Sequence, residues 1–400
     1  MFPSRLRRAA YRAIILSALP FAWLSLGREA QAQTVNAVPA SGARPAPSRP
    51  DGVRIAAMQA PKPARLNVVR FKKIDYVGLA EIAAQLEYKV SWNEVKRELT
   101  LRNGVRTLVF TTDRREVSCD GRRFFLGDPV LARDSLHYVG KTDYEGGLLA
   151  IMRPDLAGPL PSPLQTIAID PGHGGNDPGM ENESLHLQEK VLTLDVALLL
   201  EKLLLAQGYR VVLTRRDDRN LGPTKPVDWQ QRAVVANVAG ADLMVSIHFN
   251  SLYPNTRVGG TETFVFTRRG QRSDQSLGAG QTDDAESELV PVNRFDPWSS
   301  LFAHEMQGAV LKKLGTSDRG VKSKHSAVLR GLNCPGILVE SVFLSNEAEA
   351  KRAATPEYRQ KIAEGIADGI QAYASTLEAL RPKSAWSSAN PIPSSPSIPR

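Results

Sequence analysis

A ten-residue run, Asp170-Pro171-Gly172-His173-Gly174-Gly175-Asn176-Asp177-Pro178-Gly179, follows directly on the apolar stretch Gln165-Thr166-Ile167-Ala168-Ile169. Four glycines and two prolines in ten residues cannot continue a helix, and the β-branched run before them reads as a buried strand that stops where they begin. A histidine in a tight turn at the carboxyl end of such a strand is placed for chemistry, because sites in open α/β sheets form in the crevice beyond the strand carboxyl ends. The glycines allow backbone angles other residues avoid and let a metal or substrate come close. Taken alone, the peptide reads equally well as a turn capped by His173. The rest of the chain decides.

The flanking pattern predicts α/β architecture, a mostly parallel sheet with helices on both faces, preceded by a small α+β domain. From residue 165 to about 380, strands (209–214, 242–247, 261–267, 336–339) alternate with helical spacing (187–207, 228–238, 299–314, most of 348–380). Alternation of this kind means a largely parallel sheet covered on both sides. Upstream, 66–154 reads as a small separate domain. It has helical spacing over 76–86, strands at 88–92 and 98–102, an Asn103-Gly104 hairpin turn with its return strand at 106–111, and a second turn at Asp120-Gly121 before 123–126. Residues 33–65 are rich in Pro, Ala and Arg and read as a linker. Residues 381–400 are rich in Pro and Ser and read as a disordered tail.

Residues 1–32 fit a secretory signal: four arginines, an apolar stretch over 13–26, and Ala30-Gln31-Ala32 for cleavage. The Arg7-Arg8 pair leaves open whether export is by the general or the twin-arginine route. The segment holds five arginines and one glutamate, so the net charge of +9 falls to +5 for the chain from residue 33. A modest excess of that size suits an anionic polymer. No basic–aromatic motif points to nucleic acid, and no other stretch has the length of a permanent membrane span. The two cysteines, Cys119 and Cys334, fall in different predicted domains and imply neither a disulfide framework nor a zinc site.

Three further residues join His173. His248 follows the predicted strand 242–247, Glu189 lies near the start of the helix after the His173 loop, and Glu340 follows the apolar run 335–339. Parallel strands bring their carboxyl ends to one edge, so four residues spread along the chain can meet there. Two imidazoles and a carboxylate are a common ligand set for catalytic Zn²⁺ with an open fourth position. A second carboxylate beside the metal can carry a proton to and from a water. Each residue also has a plainer reading: loop imidazoles satisfied by backbone for His173 and His248, a first-turn carboxylate favoured by the helix dipole for Glu189, and an ion-pair partner for Glu340. These gaps do not form a compact zinc motif, and spacing leaves the choice open.

Residues 165–374 resemble the zinc-dependent N-acetylmuramoyl-L-alanine amidases. The resemblance is carried in order by Ile169 to Gly175 with Asp177-Pro178-Gly179, Glu189-Lys190, Leu213-Thr214-Arg215, Gln231-Arg232 with Ala236-Asn237, and Ala241-Asp242-Leu243 through Ser246-Ile247-His248-Phe249-Asn250. It continues through Gly260-Thr261-Glu262-Thr263, Arg319-Gly320-Val321-Lys322, and Ile337-Leu338-Val339-Glu340 with Leu344-Ser345-Asn346. It implies that His173, Glu189 and His248 bind zinc and that Glu340 is the catalytic carboxylate. Peptidoglycan would be the substrate, cut between N-acetylmuramic acid and L-alanine, with the enzyme exported to the periplasm. Residues 66–154 are similar to the copper amine oxidase N-terminal-like domain. That resemblance implies an accessory envelope module that could dock a protein activator or envelope partner.

The match has local departures. Val342 stands where the family more often has a smaller residue, and His186 lies in an unusually polar stretch as a competing ligand. The polar insertion 268–296 could place Glu286 or Glu288 over the metal or form an ordinary surface loop. Asn250 reads equally as a substrate-orienting or a turn residue, while Arg215 and Arg232 read as structural supports. Two other functions stay open at this point: a zinc carboxypeptidase acting on the stem peptide, and a non-catalytic envelope-binding protein.

Overall fold

The structure is a computed structural model that describes residues 65–274 and 292–382. The signal segment, most of the linker, Glu286, Glu288 and nearly all of the tail lie outside the described residues. The backbone centres on an eleven-stranded sheet. Its strands are β1 (Lys89–Asn93), β2 (Glu98–Arg102), β3 (Thr107–Thr111), β4 (Glu116–Cys119), β5 (Arg122–Phe125), β6 (Thr166–Pro171), β7 (Arg210–Leu213), β8 (Leu243–Asn250), β9 (Thr261–Phe266), β10 (Asp318–Lys324) and β11 (Gly336–Phe343). Their spatial order is β7-β6-β8-β11-β9-β10-β5-β4-β3-β2-β1. The longer helices among the described residues are α1 (Leu79–Gln85), α2 (Glu189–Ala206), α3 (Lys225–Val238), α4 (Asp296–Leu314), α5 (Glu347–Ala353) and α6 (Pro356–Ala379).

Period-two alternation explains why both faces are covered. Ile167, Ile169, Val245, Ile247, Ile337 and Val339 join one core with the apolar faces of α2, α4 and α6. Their neighbours Ala168, Met244 and Leu338 join a second, smaller core with Ala233 and Ala236 of α3. Strands buried on both faces read as continuous apolar runs, which is the pattern 167–169 and 243–247 present.

Over residues 165–343 the sheet is mostly parallel, as expected: β7, β6, β8 and β11 are mutually parallel and β10 runs parallel to β9, with β9 antiparallel to β11. Two elements differ from the sequence expectation. β10 itself had no counterpart in the reading, because Asp318-Arg319-Gly320-Val321-Lys322-Ser323-Lys324 lacks a run of apolar residues. The helix expected from residue 76 starts only at Leu79, since Tyr76 and Val77 belong to the strand Ile74–Gly78 of a separate four-stranded sheet. Helical and strand spacing coincide over so short an apolar run, and pairing with Leu136–Gly140 decided it.

Residues 66–154 carry a small four-stranded sheet of their own, yet all the described residues fall in one compact unit, and β5 joins β10 in parallel with Phe124 opposite Val321. Leu99, Leu101, Leu108, Phe110, Val117 and Phe124 belong to the same core as α2, α4 and α6. Polar groups tie the same seam: Arg123 N donates to Asp318 Oδ2 at 2.8 Å, Arg122 donates to the His304 carbonyl at 2.7 Å, and Gln271 Nε2 donates to the buried Asp143 at 3.0 Å. Both cysteines are buried and free. Among the described residues no helix is long and apolar enough to cross a membrane.

Without residues 66–154, β10 becomes an unpaired edge and its apolar flank is exposed, a pairing liability. A chain beginning at residue 155 should therefore be less soluble and unfold at lower temperature than the chain from residue 65. Equal soluble yield and equal midpoint in a thermal melt would contradict the shared core.

Candidate metal centre

His173, Glu189 and His248 converge. Each offers one ligand atom, and the three atoms lie within 4.8 Å of one another. Glu189, the first residue of α2, is buried and bridges the two rings. Its Oε2 lies 3.1 Å from His173 Nε2 and its Oε1 lies 3.0 Å from His248 Nδ1. The main chain fixes the same carboxylate: Met180 N donates to Oε2 at 2.9 Å and Phe249 N to Oε1 at 3.0 Å. The imidazoles meet edge to face with centroids 4.9 Å apart. Ligand atoms around a tetrahedral zinc stand about 3.3 Å apart, given bonds of about 2.0–2.1 Å. The donor types and spacing of this site fit such an ion.

Asp177, four residues after His173, holds that ring from behind through His173 Nδ1 at 2.9 Å, leaving Nε2 turned to Glu189. A carboxylate behind a ligating histidine fixes its tautomer and orientation. Lys225 pairs with the other Asp177 oxygen at 2.8 Å. Burial opposes a charge on His173, yet the hydrogen bonds and charges of Glu189 and Asp177 outweigh it and raise the ring to about 9. Burial likewise works against ionised Glu189, and the two imidazoles overcome it, holding the carboxyl below its ordinary range. The pocket is thus built around a buried negative charge that demands positive company.

Two glycines create the space. A side chain at Gly172 would put its Cβ 2.3 Å from the His248 ring. One at Gly179, where φ is +68°, would lie 2.6 Å from Glu189 Oε2 and 2.7 Å from His173. The glycines at these positions make room for the His248, Glu189 and His173 side chains themselves.

Beneath the His173 loop lies a buried ionic network. Asp170 is fully buried and accepts from Thr214 Oγ1 at 2.6 Å, Ser246 Oγ at 2.6 Å and Arg232 at 2.9 Å. Burial pushes its carboxyl up, but Arg232 and the two hydroxyls bring it below the usual range. Arg232 also donates to the carbonyls of Pro171 and His173. Arg215 donates to those of Pro171 and Gly172. Both arginines therefore clamp the loop.

Glu340 sits on β11 opposite His248 of β8 in the parallel register. It is buried, and burial raises its pKa, with Lys324 and His248 pulling the other way. Its Oε1 accepts from Lys324 at 3.3 Å, while Oε2 is buried with no hydrogen-bond partner. Neither His248 nor Glu340 follows its strand as expected: β8 runs on to Asn250 and β11 to Phe343. The polar residues inside the strands, His248 in β8 and Glu340-Ser341 in β11, hid the continuation. Asn250 is outside the ligand cluster, its amide donating to Glu262 at 2.5 Å. His186 stands at a left-handed turn, outside the metal cluster found among the described residues. Sequence reasoning missed the roles of Asp177, Asp170, Glu262 and Lys324. An aspartate four residues from a loop histidine was the one signal available.

Residues 167–372 match the N-acetylmuramoyl-L-alanine amidase family, and the chain belongs to it. The chain is 31% identical over 223 residues to the germination-specific N-acetylmuramoyl-L-alanine amidase of Bacillus subtilis, covering 54% of this chain and 81% of that one. It is 31% identical over 256 residues to the amidase AmiC of Escherichia coli, covering 58% and 59%. An uncharacterized cell wall amidase of Bacillus anthracis is 32% identical over 210 residues, covering 52% of this chain and 35% of its own length. The match thus spans between about a third and four fifths of these relatives. Among solved structures, the amidase of Clostridium difficile 630 is 30% identical, with a TM-score of 0.43, covering 54% of this chain and 99% of that one.

Asp177→Ala should weaken zinc affinity by about 10–100-fold while leaving the fold intact, measured by competition with a chromophoric chelator. Asp170→Ala should instead cost about 3 kcal/mol of stability, since it strips the central acceptor from a buried charge network. Denaturant titration reads that loss. Because Asp170 titrates below its unfolded value, its contribution is full at neutral pH and fades as pH falls below the ordinary aspartate range.

Proposed function

We propose that the chain is an exported zinc-dependent N-acetylmuramoyl-L-alanine amidase, hydrolysing the amide between the lactyl group of N-acetylmuramic acid and the L-alanine of the stem peptide. The observation that carries this reading is Glu340: a buried carboxylate beside the His248 position with one oxygen unpaired. A merely structural ion pair has no need of a free buried acceptor, which costs free energy to keep dry.

His173, Glu189 and His248 would hold the zinc, which when bound acidifies a water and polarises the amide carbonyl. Asp177 keeps His173 oriented for that task. Glu340 takes the proton of the attacking water on Oε2 and returns it to the alanine nitrogen as the carbon–nitrogen bond breaks. A base of this kind accelerates reactions by about 10²–10⁴-fold. Its raised pKa suits the second half of the cycle, in which it acts as an acid. Export to the periplasm rests on the pattern of residues 1–32 and on the cell-wall relatives. Residues 66–154 are the surface on which an activator or envelope partner would dock.

Digested peptidoglycan should release intact stem peptides bearing a free L-alanine amine, read by mass spectrometry. Trimming of the stem from its carboxyl end would instead support a carboxypeptidase, and no product with zinc bound would leave an envelope-binding protein. Chelation should abolish turnover and zinc restore it. Glu340→Ala should keep zinc and lose turnover by about 10²–10⁴-fold, while His248→Ala should lose both. Parent-rate hydrolysis by Glu340→Ala would remove the assigned role.

A further inference from the structure

Four charged side chains stand on one face of three adjacent strands. Glu262 of β9 is the register partner of Glu340 on β11, and Phe264 and Phe266 are the partners of Lys322 and Lys324 on β10. The lysines pair with the glutamates one to one. Lys322 Nζ donates to Glu262 Oε2 at 2.5 Å and Lys324 Nζ donates to Glu340 Oε1 at 3.3 Å.

The two glutamates differ in what else they hold. Glu262 is saturated: Oε1 accepts from Asn250 and Oε2 from both Lys322 and Arg319. Glu340 has a donor on Oε1 alone, and its Oε2 is buried and unpaired. Lys324 is itself held, its ammonium 4.4 Å from the centroid of the Phe264 ring. A cation over an aromatic face loses part of its freedom to swing into solvent. The strand that carries it is gripped on its far side, where β5 pairs at Phe124 and the Phe125 ring lies 5.5 Å from Lys322.

We propose that Lys324 is a positioning residue for Glu340, fixing Oε1 so that Oε2 remains the atom that takes and returns the proton. The inference rests on the amidase reading given above. A lysine held by an aromatic ring and bonded to one carboxylate oxygen restricts rotation of the carboxylate, and orientation of a reacting group is worth large factors in rate. Substrate affinity need not involve it.

The test compares Lys324→Met, Lys324→Arg and Lys324→Cys with the parent, each in the full chain loaded with zinc, on a soluble muramyl peptide. Lys324→Met should keep its zinc, keep KM within about twofold and lower kcat by about 10–100-fold, in line with misplacement of a reacting group. Lys324→Arg should recover part of kcat. Treating the folded Lys324→Cys protein with 2-bromoethylamine rebuilds an ammonium of lysine length and should restore most of kcat. Cys119 and Cys334 are buried, so the treated parent should be unchanged.

Parent-like kcat in Lys324→Met would overturn the proposal. So would a rise in KM at constant kcat, which would make Lys324 a substrate-binding group, or a lack of recovery on aminoethylation. Should Lys324→Met fail to fold, the before-and-after comparison on Lys324→Cys decides alone, since it is made within one folded sample. A parent that releases no stem peptide would defeat the amidase reading itself, a result distinct from all of these.

Discussion

One buried carboxylate organises the functional end of this molecule. Glu189 lies between two imidazoles and accepts two main-chain N–H groups, one from the loop at Met180 and one from β8 at Phe249. Those four contacts join the His173 loop, the start of α2 and the carboxyl end of β8. A buried carboxylate is costly unless its charge is answered, so the three elements cannot drift apart without exposing that cost. Site geometry and local stability are therefore a single problem here, solved by one side chain.

The layer beneath the site follows the same physics. Asp170 and Arg232 are both buried, and Arg232 with Arg215 gathers the carbonyl oxygens that the glycine-rich loop leaves without helix or sheet partners. A loop this rich in glycine has much conformational freedom to lose. Two guanidinium groups, each with five donors in a rigid fork, fix it where the chain's own propensity cannot. Residues distant from His173 in sequence thereby fix the loop that carries it.

The sheet extends this dependence across the chain. β10 carries Lys322 and Lys324 against the two glutamates on one side and receives β5 on the other. The segment read from sequence as an accessory module is thus packed on the strand that contacts Glu340. Four of its strands were legible, at 88–92, 98–102, 106–111 and 123–126, because hairpin turns such as Asn103-Gly104 announce themselves locally. Their attachment to β10 was not, because β10 is polar and glycine-containing and the pairing joins residues almost two hundred positions apart.

The amino-acid sequence by itself indicated the local events: a strand before the glycine-rich loop, a helix starting close to Glu189, the two-sided apolar runs that require a covered sheet, and His173, Glu189, His248 and Glu340 as candidates for one end of that sheet. These follow from periodicity, turn chemistry and residue type, which act over a few positions. Tertiary structure alone decided which oxygen of Glu340 is free, that Asp177 steadies His173, that glycines at 172 and 179 make room for the His248, Glu189 and His173 side chains, and that β9 reverses direction beside β11. Each of these depends on non-local pairing and close packing, where the partner of a group is set by which distant strand arrives beside it, and no local signal carries that information.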